Sequence, residues 1–271
     1  MEQQKTETRS ITAEQRKRVE EVCFRSLALI GRNCEYLEQH FDRTGADAST
    51  RQAVADIDTA AIQLDRTLSE AITLLEFLHE DTKPQLYPID LCELLQQVAA
   101  QSDMIRAQLG VDIRLDYGGC TACCVMADRR DAELLCLHLL SNALRACGAG
   151  GKVQLTLRRC ESFWKLTVLD DGCGLPTGEN WMENRRRFLG GVQAGLLLCR
   201  RYCAHMGWVL SLTPRDAGSG TRAEVRIPLA GTMFPIEGSV ELHTIHPALT
   251  TADGLRWQIL RELALLSDKM E

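Results

Sequence analysis

The stretch from residue 131 to residue 229 contains four short motifs in a fixed order: LHLLSNALRA (137–146), DDGCG (170–174), GGVQAGLLL (190–198) and GSGT (218–221). Each motif is polar or rich in glycine, and each lies between runs whose hydrophobic pattern predicts helix or strand. One such motif alone is weak evidence, since glycine-rich turns occur throughout α/β proteins. Four of them in this order and spacing are poorly explained by chance, and the rest of the chain is organised around them.

Alternating apolar and polar side chains predict four strands around the motifs, at residues 153–159, 163–169, 209–213 and 221–229. A helix is expected between them at 196–206. Upstream, Asp90 is placed to cap a helix that runs to Leu109, and strands are expected at 111–117 and 124–127. The fold class predicted for this region is α+β, an α/β sandwich in which one mixed sheet carries helices on one face.

The first motif lies on a predicted helix, residues 131–147, with two different faces. His138, Asn142 and Arg145 are spaced by four and three residues and therefore share one face. Leucines at positions 137, 140 and 144 share another. The apolar face can pack on the sheet, so the polar stripe is expected to face a cleft.

Together the four motifs resemble the N, G1, G2 and G3 boxes of the ATP-binding domain of sensor histidine kinases, which has the Bergerat fold. The resemblance covers roughly residues 12–229. It implies that Asn142 binds Mg²⁺ held by the nucleotide phosphates, that Arg145 neutralises phosphate charge, and that Asp170 accepts a hydrogen bond from the adenine amino group. The residues expected to bind ATP and Mg²⁺ are His138, Asn142, Arg145, Asp170, Gly172, Gly174, Arg187, Gly191, Gly195, Leu196, Gly220 and Thr221.

The glycines of these motifs have a backbone role in the resemblance. Gly172 and Gly174 let the chain turn sharply and approach the base. The helix that begins at about Gly195 presents free N–H groups to phosphates, and Thr221 is placed to bond the nucleotide or close its loop. Asp171 is expected to be a solvated turn residue. Without the other motifs, Asp-Asp-Gly is simply a common turn.

The sequence departs from the family pattern at two positions. His138 stands where the family has its first asparagine, and imidazole is a poorer ligand for Mg²⁺ than a carboxamide oxygen. A histidine on a half-apolar helix is more often a structural residue than a ligand. Gln193 replaces a glycine of the third motif, which threatens the close approach of phosphates.

The segment between Gly174 and Gly191 corresponds to the family's ATP lid and is short. It contains three consecutive arginines, Arg185 to Arg187, and Phe188. The arginines are placed to grip the γ-phosphate, and Phe188 stands in for the family's lid aromatic. The alternative is a solvated basic helix end.

Two long helices are predicted before the ATP-binding domain, from about residue 12 to 41 and from 48 to 80. The second has an apolar seam with alternating spacings of four and three: Ile57, Ala61, Leu64, Leu68, Ala71, Leu75 and Leu78. Val19, Val22, Ser26, Ile30, Asn33 and Leu37 form a weaker seam on the first. Such seams predict an antiparallel hairpin that pairs with a second copy as a four-helix bundle, hence a homodimer. The alternative is a hairpin folded back on its own ATP-binding domain.

The expected domain order is a dimerisation hairpin (12–80), a linker (81–89), the ATP-binding domain (90–230) and a C-terminal extension (231–271). The extension ends in a predicted amphipathic helix, which either docks on its own domain or binds a partner.

The segment FRSLALIGR (24–32) resembles the residues that follow the phosphoacceptor histidine of the family, which places the acceptor position at Val22. Valine has no nucleophile, so no catalytic residue is assigned and autophosphorylation by the family route is excluded. His40 and His79 lie at helix ends, outside that motif.

Two hypotheses about the function remain. One is an ATP-dependent phosphotransferase of a two-component-type pathway whose acceptor lies elsewhere; the other is a nucleotide-binding scaffold or pseudokinase that acts on a response regulator or another signalling protein.

Composition and charge indicate the class of protein and its expected location in the cell. A net charge of −6 is not typical of a nucleic-acid-binding protein. No run approaches the roughly 20 apolar residues of a spanning helix, so a cytoplasmic protein without membrane partners is expected. Twelve cysteines lie mostly on apolar periodic segments as small buried hydrophobes. The CTACC loop (120–124) is the exception, and either binds metal, senses redox state or is an ordinary loop.

Overall fold

The computed structural model describes residues 13–78, 83–147, 150–175, 194–216 and 218–229. The lid, the third-motif residues Gly191 and Gln193, and the C-terminal extension with its predicted helix lie outside these ranges. The chain divides into two compact units at the bond between Asp65 and Arg66.

Two long helices open the chain, α1 (Ala13–Thr44) and α2 (Ala48–Leu78). Their turn is closed by local polar contacts. Asp47 accepts a hydrogen bond from the N–H of Thr50 at 2.6 Å and so caps α2. Arg51 reaches back to Asp42 at 2.9 Å and to the carbonyl of Phe41 at 2.8 Å. The predicted helical hairpin is therefore confirmed.

The rest of the chain alternates strands and helices in the predicted order. The elements are β1 (Tyr87–Asp90), α3 (Leu91–Leu109), β2 (Asp112–Asp116), β3 (Cys124–Ala127), α4 (Arg129–Cys147), β4 (Lys152–Arg159), β5 (Phe163–Asp170), α5 (Ala194–His205), β6 (Val209–Pro214) and β7 (Thr221–Pro228).

Five strands form one mixed sheet in the order β2-β4-β5-β7-β6. β2 and β4 run parallel, and the other neighbours are antiparallel. Buried and part-buried residues alternate along β4 and β5, which means that the apolar side chains of both strands lie on one face. This face packs in a continuous core with α3, α4 and α5. The predicted fold class is confirmed.

One strand was not predicted. Residues 87–90, in a stretch expected to be mostly linker, form β1 and pair antiparallel with β3. This strand contains Pro88, and a proline is compatible with a two-stranded ribbon in which each strand has a free edge. The Asp90 carboxylate then caps α3 as expected, accepting from the N–H of Cys92 at 2.9 Å.

Candidate functional site

The polar stripe of α4 lies at the edge of the core. His138 is only 3% exposed, and Asn142 and Arg145 are partly buried. Leu137, Leu140 and Leu144 are fully buried, as the two-faced helix requires. His138 therefore belongs to the interior, and less of the stripe is open to a cleft than the spacing alone predicted.

The first residues of α5 lie beside this stripe. A Cβ atom added to Gly195 would lie 3.7 Å from Oδ1 of Asn142 and 3.8 Å from Nδ1 of His138. These are ordinary contact distances, so the glycine leaves an opening of about one methyl group between α4 and α5. The structure thus brings Gly195, Asn142 and His138 together, as expected.

Asn142 carries a polar atom that the described residues leave unsatisfied. Its Nδ2 is buried and has no hydrogen-bond partner among the described residues. The assignment of oxygen and nitrogen in a carboxamide is inferred, so either end of this group can face a ligand. A buried amide without partners costs folding free energy, which is typical of a group that completes its bonding with a ligand.

Asp170 ends β5 and forms the second part of the site. Its carboxylate is 5% exposed. Oδ1 accepts hydrogen bonds from the backbone N–H of Gly172 and of Thr221, both at 3.0 Å. Burial raises the pKa of this carboxyl above its usual range, although the two N–H donors act in the opposite direction. The second and fourth motifs therefore converge on one buried acidic side chain.

The glycines hold these segments closer together than any other residue allows. A Cβ on Gly172 would lie 2.3 Å from the carbonyl carbon of Ala146 in α4. A Cβ on Gly220 would lie 2.1 Å from the carbonyl oxygen of Asp170. Packing between the motifs thus requires glycine at both positions, and Gly220 in addition has a φ of 130°.

Asp171 lies in the turn after β5, as the sequence predicted, and it also accepts a hydrogen bond from another strand. Its Oδ1 accepts a hydrogen bond from the N–H of Lys152 at 2.7 Å, which fixes the start of β4. This bond lowers the pKa of the Asp171 carboxyl. The sequence contains no signal for this bond, because the partner Lys152 lies on another strand, far away in sequence.

An aromatic contact beside the site was also missed. The ring of Tyr202 on α5 stacks on His138 with centroids 6.1 Å apart and planes inclined by 17°. Tyr202 is in turn in edge contact with Phe77 of α2. The sequence places Tyr202 on a predicted helix but contains no signal for its neighbours.

The remaining predicted site residues fall into two groups. Gly174 has a φ of 77° and lies near Gly220, and Leu196 is exposed at the start of α5. Arg187 and Gly191, together with Arg185, Arg186 and Phe188 of the lid, lie outside the described residues.

The cysteine-rich loop has no feature of a metal site. Among the described residues, no group of three or more His, Cys, Asp or Glu side chains could hold a metal ion. Cys123 is fully buried, and its N–H donates to Oδ1 of Asp90 at 3.0 Å. Burial raises the pKa of the neighbouring Cys92 thiol to about 11. Such thiols remain protonated at neutral pH, which favours the interpretation as an ordinary loop.

Comparison with known proteins agrees with this geometry. Residues 127–231 match the family model described as histidine kinase-, DNA gyrase B-, and HSP90-like ATPase, so this region is similar to the domains of that family. The chain is 31% identical over 157 residues to the adaptive-response sensory kinase SasA of Parasynechococcus marenigrum (strain WH8102), covering 52% of this chain and 39% of SasA. It is 28% identical over 193 residues to the sensor protein DivL of Caulobacter vibrioides, covering 68% and 24%. The chain thus spans well under half the length of these relatives.

Two solved structures are similar to this chain in fold. Full-length ShkA in complex with AMPPNP matches with a TM-score of 0.60 at 20% identity, over 81% of this chain and 46% of ShkA. The histidine kinase ThkA in complex with the response regulator protein TrrA matches with a TM-score of 0.55 at 20% identity, over 83% and 64%. The described chain therefore has the fold of a histidine kinase transmitter region. Within the described ranges, no helix is both long and apolar enough to span a bilayer.

Proposed function

We propose that this protein is an ATP-binding signalling protein of a two-component-type pathway that does not phosphorylate its own first helix. The observation that carries the proposal is the convergence on Asp170, where a buried carboxylate is held by Gly172 and Thr221. Such a carboxylate, tolerated in the interior despite its desolvation, is typical of a ligand-binding group.

Asp170 is the residue that would recognise adenine. Both backbone donors use Oδ1, so neither of these bonds reaches Oδ2. A carboxylate oxygen accepts from the exocyclic amino group of adenine, and the apolar surroundings strengthen that hydrogen bond. Recognition of adenosine nucleotides is therefore assigned to this side chain.

Asn142 is the residue that would hold Mg²⁺. Its partly buried carboxamide, with an unpartnered end beside Gly195, suits a hard cation bound mainly by phosphate oxygens. The ion would neutralise charge on the phosphates. Arg145, one turn along α4, would add a second positive charge, and the N–H groups that begin α5 would donate to the phosphates.

Val22 argues against self-phosphorylation. It occupies the position at which the resemblance places the acceptor histidine, and it is 56% exposed on α1. The position is thus accessible, but its isopropyl group cannot accept a phosphoryl group. The acceptor is assigned to another protein.

Exposed apolar side chains on α1 support dimerisation. Val22, Leu29 and Tyr36, spaced by seven residues, are all more than half exposed in the single chain, and Val19 extends the same stripe. A heptad stripe of this kind is stable in water when a second helix covers it. We therefore assign the hairpin to a homodimer, and a response regulator, as bound to ThkA in its complex, is the proposed partner class.

A second candidate function is a nucleotide-binding scaffold that performs no phosphoryl transfer. It is favoured by His138, which is buried against Tyr202 at a position where the family has an asparagine. In this case ATP sets the conformation, and the dimer signals through contacts with its partner.

Nucleotide binding is tested by calorimetric titration of the full chain with a non-hydrolysable ATP analogue. The Asn142→Ala variant is expected to bind Mg²⁺·nucleotide about tenfold more weakly, whereas Gln52→Ala, an exposed carboxamide on α2, binds normally. In EDTA the difference in nucleotide affinity between the wild type and Asn142→Ala should become smaller, because Asn142 is proposed to act on the nucleotide through the metal ion. Absence of binding to the wild type at millimolar concentration would overturn the proposal.

Phosphoryl transfer separates the two candidates. The wild type incubated with γ-labelled ATP and Mg²⁺ is expected to remain unlabelled, while a cognate receiver protein becomes labelled. A Val22→His variant restores a nucleophile at an exposed position. Acid-labile label on that variant, or on the receiver, supports the function as a kinase. If nucleotide binding is retained but neither experiment gives label, the function as a non-catalytic scaffold is supported instead. Label on wild-type α1 contradicts the assignment of Val22.

A further inference from the structure

Phe77, in the last turn of α2, touches two rings of α5. Its centroid lies 5.5 Å from that of Tyr202 with planes inclined by 69°, and 5.3 Å from that of His205 with planes inclined by 80°. Both are edge-to-face contacts, the arrangement that aromatic quadrupoles favour. Phe77 therefore holds α5 at two points.

Each of these two rings continues to α4. Tyr202 stacks on His138. His205 places Nδ1 2.6 Å from Oδ2 of Asp131, in the first turn of α4. The end of α2 is thus connected to α4 at two points, at Asp131 in its first turn and at His138, one turn before the candidate Mg²⁺ ligand Asn142.

These contacts lie in the closely packed interior. Tyr202 is 1% exposed and His138 is 3% exposed. Burial raises the pKa of the Tyr202 phenol, the Asp131 carboxylate adds to that shift, and the Thr73 hydroxyl of α2 acts in the opposite direction. Because a packed interior has no free volume to absorb a displacement, movement of one ring is passed to its neighbour.

Helix α5, which carries Tyr202 and His205, also contacts the candidate nucleotide site. α5 is a single helix of 12 residues from Ala194 to His205. Its first turn places Gly195 beside Asn142 and His138, and its last turn carries His205. A shift of α5 at the Phe77 end therefore changes the opening at the Gly195 end.

We propose that Tyr202 is a positioning residue of the candidate nucleotide site and that Phe77 sets its position, so that nucleotide binding and the conformation of the last turn of α2 are coupled. The proposal rests on the nucleotide site assigned above. Coupling of this kind is reciprocal: a nucleotide that fixes His138 and Asn142 also fixes Phe77. The end of the hairpin helix thereby responds to the nucleotide.

The test compares variants of the full chain by NMR and by nucleotide titration. Phe77→Leu removes the ring but keeps an apolar side chain. Two controls match it: Leu75→Ala lies in the same turn of α2 and is 46% exposed, and Trp208→Leu removes another buried aromatic ring. The ¹⁵N–¹H signals of the His138 imidazole, assigned with His138→Gln, report the stack directly.

Phe77→Leu is expected to shift the His138 imidazole signals and to weaken nucleotide binding about two- to tenfold, in line with the strength of one aromatic pair. Leu75→Ala should change neither. Trp208→Leu should lower thermal stability without moving the His138 signals. Addition of nucleotide to the wild type should shift the Phe77 ring signals, assigned by their loss in the variant.

Unchanged His138 signals in folded Phe77→Leu, or equal shifts in the Trp208→Leu control, would overturn the proposal. If Phe77→Leu does not fold, Phe77→Met provides the same comparison with a more adaptable side chain. The imidazole measurement needs no nucleotide. Failure of the wild type to bind nucleotide therefore refutes the proposed function, while the series of contacts from Phe77 through Tyr202 to His138 is still tested.

Discussion

At the scale of single residues, Asp170 combines two opposing requirements. A carboxylate in a 5% exposed position is poorly solvated, and burial raises its pKa. The two backbone donors compensate only in part. A buried carboxylate of this kind therefore contributes unfavourably to the stability of the chain without ligand, as residues of functional sites often do.

This conflict predicts the behaviour of Asp170→Asn. Because the pKa is raised, the folded state binds the proton of Asp170 more tightly than the unfolded state does. Loss of this proton therefore lowers the free energy of unfolding as the pH rises from the usual aspartate pKa to the raised one. Asparagine keeps an oxygen for Gly172 and Thr221 but has no charge. Thermal unfolding between about pH 3 and pH 8 should therefore show the variant more stable than the wild type at neutral pH, with the difference disappearing near the usual aspartate pKa of about 4.

The same variant should lose adenosine nucleotide binding, because the amide nitrogen of asparagine is a donor and cannot accept from the adenine amino group. A variant that is less stable than the wild type by the same amount at every pH would contradict the assignment of a desolvated carboxylate. Asp171→Asn is the matched control: the pKa of Asp171 is lowered, so the variant should lose stability at neutral pH.

At the scale of elements, α3 is joined to the cysteine-rich loop through its cap. Oδ1 of Asp90 accepts from the N–H of Cys92 at 2.9 Å and from that of Cys123 at 3.0 Å. The N–H of Leu91 donates to the carbonyl of Cys123 at 2.9 Å. One side chain thus ends β1, begins α3 and holds the loop before β3.

Asp90→Ala is expected to reduce the free energy of unfolding by about 1–2 kcal/mol, since it removes a helix cap and leaves a second part-buried N–H without its acceptor. Asp90→Asn retains the oxygen and should lose less. Urea denaturation of both variants measures the difference. If the alanine and asparagine variants lose the same free energy of unfolding, the negative charge of Asp90 stabilises α3, and its oxygen as a hydrogen-bond acceptor does not.

Element by element, much of the second unit could be predicted from sequence. The strands around the motifs and helix α4 follow from period-two and helical patterns, which are local properties of the chain. β1 was missed because Pro88 resembles a break, and its pairing with β3 depends on a partner more than thirty residues away in sequence.

At the scale of the whole molecule, the uncovered apolar stripe of α1 is the feature that a single chain does not explain. Leu29 is 53% exposed in the middle of this stripe, and the helix positions seven residues before and after it are also apolar. Glu38, on the opposite side of α1, is exposed and polar.

Leu29→Lys is therefore expected to shift the protein from dimer to monomer, because it places a charge in the centre of the proposed helix–helix seam. Glu38→Lys introduces the same side chain on the opposite side of α1 and should leave the dimer intact. Sedimentation equilibrium measures both. A wild type that is monomeric at tens of micromolar would refute the assignment of the stripe to a second copy.

By itself, the sequence determined the order and type of most elements and the four motifs. It also predicted Asp170 and Asn142 as candidate ligands and placed Val22 at the expected acceptor position. These follow from hydrophobic periodicity, turn chemistry and residue type, all of which are local. Only the tertiary structure decided that Asp171 fixes β4, that β1 pairs with β3, and that Phe77, Tyr202 and His138 form one series of contacts. Those results depend on how helices and strands pack, which brings together residues that no local pattern connects.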